Sequence, residues 1–71
     1  MENVHEKRSL GSNIRTIRTE HGITQQKLAL MTGVSRSYLW KIEIGTADVG
    51  IDVLIRIARA LDMPVRDLIQ F

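Results

Sequence analysis

Gly33 is the residue that most limits what this chain can become. It falls in the middle of TQQKLALMTGVSRSYLWKIEIG, residues 24–45, where apolar residues recur at helical spacing on both sides of it. Inside one continuous amphipathic helix a glycine costs about 1 kcal/mol relative to alanine and has no use. At a helix end it has one, because glycine readily takes the left-handed backbone conformation that other residues avoid. The stretch therefore predicts two short helices meeting at a corner. Thr24 caps the first, whose inward residues are Leu28, Ala29 and either Met31 or Thr32. Ser35 caps the second, in which Leu39 and Ile42 share a face while Val34 closes the corner. Ala29 is small enough to let the two helices cross closely, so the second can project while the first braces it.

The remainder of the chain supplies three more helices. Residues 1–8 are polar and aperiodic and read as a flexible N-terminal segment, leaving residues 9–71 as the folded domain. From Ser9, which can cap, Leu10, Ile14 and Ile17 mark one face with Arg15 and Arg18 off it, and Gly22 ends the helix. EIGTADVG, residues 43–50, is a loop with a glycine near each end. A fourth helix runs from about Ile51 to Leu61 with Leu54, Ile57, Ala58 and Leu61 inward, and Asp52 sits near its positive end. Pro64 suits the first turn of a short fifth helix carrying Val65, Leu68 and Ile69. The predicted fold is all-α, five helices without a strand.

Composition removes several classes of function. No cysteine is present, so disulfides and thiolate metal sites are excluded. No apolar run approaches the ~18 residues of a membrane span, and MENVHEKRSL lacks the apolar centre of a signal peptide, so a soluble, cytoplasmic protein is expected. His5 and His21 are far apart, the carboxylates sit singly on exposed faces or at helix starts, and neither a phosphate loop nor a nucleophile elbow occurs. No enzyme activity, cofactor or metal is expected. The net charge is only +2, but residues 1–36 hold six cations against three carboxylates and residues 37–71 four against five. The first half is the one suited to phosphates.

Taken in order, LGSNIRTIRTEHGITQQKLA, GVSRSYLWKIEIG and IDVLIRIARALDMPVRDLI resemble the lambda-repressor-like, Cro-type helix-turn-helix family, also called the xenobiotic-response-element family. The resemblance runs from about Leu10 to Ile69, and the spacing of Gln25, Ala29, Gly33, Val34, Leu39, Ile42, Glu43 and Gly45 carries it. It implies sequence-specific binding of double-stranded DNA, with the second helix of the motif in the major groove. By position it assigns base contacts to Ser35, Arg36, Ser37 and Lys41, and phosphate contacts to Thr24, Gln25, Tyr38 and Arg15. The residue types suit those roles. The Arg36 fork can engage both acceptors of a guanine edge, and helix-start serines sit where backbone N–H groups favour anions.

Three departures stand out. Lys27 replaces the glutamate common in relatives, so the capping box expected with Thr24 is missing. Asp48-Val49-Gly50 replaces a stiffer Asn-Pro-Ser. Trp40 and Ile44 stand where polar residues are common; they are expected near the rim of the recognition helix, with the Trp40 ring sheltered by packing.

The resemblance also implies a transcriptional regulator acting as a homodimer on a palindromic operator. A chain of this length buries only about 60% of its unfolded surface, which favours self-association. Val65, Ile69 and Phe71 are the expected dimer surface, with no membrane or small-molecule partner. The competing expectation is a protein-binding module of the same fold, antitoxin-like or a partner of the transcription machinery, since fold alone does not settle function.

Overall fold

The computed structural model describes residues 3–71, and within them the chain forms five helices and no strand. These are α1 (Val4–Glu20), α2 (Gln25–Thr32), α3 (Arg36–Glu43), α4 (Ile51–Ala60) and α5 (Val65–Leu68). The expected corner forms as its residues dictate. Thr24 Oγ1 accepts from the Lys27 N–H at 3.0 Å, and Ser35 Oγ accepts from the Tyr38 N–H at 3.0 Å. Between them Gly33 takes φ +72°, and the Val34 N–H reaches back to the Ala29 carbonyl at 3.1 Å, closing α2.

Packing follows from the inward faces. α3 lies against α1 and α2, α2 also meets α4, and α5 spans α4 and α1. Leu10 and Ile14, Leu28 and Ala29, Leu39 and Ile42, Ile57 and Ala58, with Leu61 and Leu68, make one buried core. Ile17, Val34 and Leu54 are half-buried at its edge. Of the two candidates on α2, Thr32 is the buried one, its hydroxyl donating to the Leu28 carbonyl at 2.8 Å, while Met31 is exposed. No helix among the described residues is long and apolar enough to cross a membrane.

The first helix starts earlier than its local pattern indicates. It begins at Val4 after Asn3, whose side chain makes no cap, so Ser9 lies inside the helix rather than capping it. The part of the expected flexible segment covering residues 1 and 2 lies outside the described residues. The cause of the longer helix is tertiary. Lys7 Nζ meets Asp48 Oδ1 at 2.7 Å, and Gly45 approaches so near that a Cβ on it would stand 2.8 Å from Arg8 Cα. The α3–α4 loop thus holds the leading turns of α1 in place. Gly11 marks the tightest crossing: a Cβ there would stand 2.2 Å from the Ile42 carbonyl oxygen and 2.5 Å from that of Glu43. α1 and α3 meet backbone to side-chain-free backbone.

Candidate nucleic-acid interface

Because Leu39, Ile42 and Glu43 fill the inward face of α3, its other residues apart from Tyr38 project. Ser35, Arg36, Ser37, Trp40, Lys41 and Ile44 are exposed. Arg36 and Lys41 make no ion pair among the described residues, so both charges are open to a ligand. Beside α3 lies an open cleft of about 570 Å³. Its walls are Arg15 and Arg18 from α1, Thr24, Gln25 and Gln26 from the start of α2, Arg36, Trp40 and Glu43 from α3, and Ile44, which follows directly on that helix. Three of the four expected phosphate-contacting residues therefore come together with one expected reader. Ser35, Ser37 and Lys41 stand outside the cleft, on the exposed surface of the same helix.

Tyr38 is placed differently. Its ring is half-buried and its hydroxyl donates to the Asp48 carbonyl at 2.8 Å, which ties α3 to the following loop. Its donor is engaged inside the molecule rather than at the cleft. Trp40 also departs from expectation: 50% of its surface is exposed, because the core positions of α3 are already taken. At the far end, Val65 is half-buried against the core, whereas Ile69 and Phe71 are 42% and 58% exposed. None of Val65, Ile69 and Phe71 lines the α2–α3 cleft. Asn13 holds this end down by donating to the Leu68 and Gln70 carbonyls at 2.9 and 3.1 Å.

Beneath the cleft lies a charge network that periodicity did not reveal. Arg18, expected off the apolar face, and Glu43, expected as a solitary exposed carboxylate, are both buried, at 8% and 7% exposure. The guanidinium grips the carboxylate with two bonds, Nε to Oε2 at 2.7 Å and Nη2 to Oε1 at 3.0 Å. Its Nη1 donates to the Ile23 carbonyl at 2.8 Å, and Gln25 Nε2 donates to Glu43 Oε1 at 2.9 Å. One ion pair thereby joins α1 to α3 and orients the first residue of α2. A signal for it exists in the chain: Arg18 continues the Leu10–Ile14 spacing, and Glu43 follows Leu39 and Ile42 in phase. Opposite charges occupying inward positions on two helices are a pattern for a buried pair. With Glu43 neutralised by Arg18, Arg15 and Arg36 set the sign of the field over the cleft.

Comparison with known proteins agrees with this architecture. The sequence profile of the helix-turn-helix family matches residues 14–68. The control protein C.BamHI of Bacillus amyloliquefaciens is 36% identical over 62 residues, which cover 86% of this chain and 76% of that protein. The restriction-modification controller protein C.AhdI from Aeromonas hydrophila superposes with a TM-score of 0.88 at 33% identity, covering 90% of this chain and 97% of that one. SinR, the master regulator for biofilm formation, known from Bacillus subtilis, superposes in its complex with DNA at a TM-score of 0.82 and 32% identity, over 86% of this chain and 98% of that one.

Proposed function

Since the chain belongs to the helix-turn-helix family, we propose that it is a transcriptional regulator that binds operator DNA, with α3 in the major groove and the start of α2 on the adjoining backbone. The observation that carries this is the exposure of Arg36 and Lys41, without an ion pair among the described residues, on a helix whose Arg36–Trp40 face lines a cleft shared with Arg15, Thr24 and Gln25. Arg36 reads a guanine edge, while Ser35, Ser37 and Lys41 contact neighbouring bases. Thr24, Gln25 and Arg15 hold phosphates. A contact from Tyr38 requires its hydroxyl to accept a bond or leave Asp48, which makes it the weakest of the four assigned phosphate contacts. The DNA-binding unit spans residues 9–71 together with the helical turn in front of it, acts in the cytoplasm and has no catalytic role.

Its active form is a homodimer joined through the C-terminal end, where Ile69 and Phe71 leave apolar area and Val65 contributes an edge. Two recognition helices then enter successive major grooves about 34 Å apart on a palindromic site. The test is selection of bound duplexes from a random pool, which reads motif and half-site spacing together. A pool that yields no motif rejects the DNA reading; a motif without a second half-site, or a monomer in sedimentation with DNA, rejects the dimer. On the selected site Arg36→Ala should cost about 1–3 kcal/mol and relax the preference at one base pair. Gln25→Ala should weaken all duplexes alike, because phosphates carry no base information. Affinity measured against salt should fall steeply for the native chain, and the slope should be unchanged in Gln25→Ala, which removes no charge.

A second reading, a module that binds protein, is favoured by the exposed Leu30 and Met31 on α2. The pool selection decides between the two.

A further inference from the structure

Two exposed stripes run along α3, each with residues four apart. Ser37 and Lys41 form one and are wholly polar. Arg36, Trp40 and Ile44 form the other, which begins with a cation and continues with two apolar side chains. Packing does not require them: Leu39 and Ile42 already fill the core beneath, and Trp40 and Ile44 remain 50% and 42% exposed. Nor do they make a broad apolar patch, since the cleft they line is bounded by Arg15, Thr24, Gln25 and Arg36. An apolar strip set between a base reader and a row of phosphate holders matches one feature of duplex DNA. The major-groove edge of thymine carries a C5 methyl group, and that methyl sits on the side of the base nearer its own strand's phosphates.

The geometry points to a subsite, formed by Trp40 and Ile44, for the C5 methyl group of a thymine next to the base pair read by Arg36. This rests on the DNA-binding reading above and adds to it a sequence preference that the polar residues of α3 do not supply. Trp40 forms the flat wall and Ile44 the end of the subsite, so that docking removes the methyl and part of both side chains from water.

The test uses the duplexes this protein selects from a random pool, with each thymine replaced in turn by deoxyuridine, which deletes the methyl and nothing else. At one thymine in each half-site the native chain should lose about fourfold in affinity, the size expected for burying one carbon group. Trp40→Ala and Trp40→Gln should bind the thymine and uracil duplexes equally, while Trp40→Phe keeps a preference for thymine. Trp40 is the single tryptophan, so its emission should also differ between the two duplexes. If no thymine is sensitive, or sensitivity survives Trp40→Ala, the subsite does not exist. Should that happen while Arg36→Ala still relaxes a base preference, the DNA reading stands and only the methyl contact falls. A pool without any selected motif removes both.

Discussion

Glu43→Ala should lower the unfolding free energy by about 3–5 kcal/mol, a large share of what a small domain has. The substitution leaves the Arg18 guanidinium at 8% exposure with only the Ile23 carbonyl as partner. An unpaired buried charge is the costly outcome, far more than the loss of one attractive contact. The same change frees the Gln25 amide, which Glu43 Oε1 holds at 2.9 Å, so the start of α2 loses its orientation toward the cleft. Urea unfolding of the variant beside the native chain measures the first effect, and a loss below about 1 kcal/mol would contradict the role assigned to the pair. The paired substitution Arg18→Met with Glu43→Leu separates charge from packing. It should recover most of the stability, since neither desolvation penalty remains, while on the proposed phosphate-holding role of Gln25 DNA affinity stays reduced, because Gln25 still lacks its anchor.

The second large effect is at Gly11, and its sign is the informative part. In an ordinary helix interior, glycine to alanine stabilises by about 1 kcal/mol. Here the new Cβ would meet the Ile42 carbonyl oxygen at 2.2 Å and the Glu43 carbonyl oxygen at 2.5 Å. Those atoms belong to backbone and cannot rotate away, so α1 and α3 must separate. Gly11→Ala is expected to destabilise by about 2–3 kcal/mol, toward the upper end for overpacking. Separation of those helices also stretches the Arg18–Glu43 pair, which crosses the same interface. Thermal unfolding should show a melting temperature lower by about 10 °C or more. A stabilised variant would mean that the crossing relaxes easily and that the close approach is not a constraint.

What could be read along the chain, and what could not, follows the reach of each interaction. Thr24, Gly33 and Ser35 act on atoms within five residues, and each does what its chemistry indicates. The inward sets on α2, α3 and α4 follow helical spacing and are equally local, and of the two alternatives that spacing leaves on α2 it is Thr32 that turns inward. The start of α1 lies earlier than its local pattern indicates because Gly45 and Asp48, about forty residues further on, pack against it. Arg18 and Glu43 read as surface charges along the chain because a side chain's partner 25 residues away leaves only a faint trace in periodicity.

Legible along the chain were the five-helix plan, the corner at Gly33 and the polar, basic start of the helix that the corner sets free. Hydrogen bonds within one turn and the apolar period decide those features, and both are written in neighbouring residues. Only the tertiary structure decided which charges are spent inside and which remain at the surface. That division depends on where α1 crosses α3, a crossing made possible by a missing side chain at Gly11 and locked by an ion pair whose desolvation is affordable only with both partners in place.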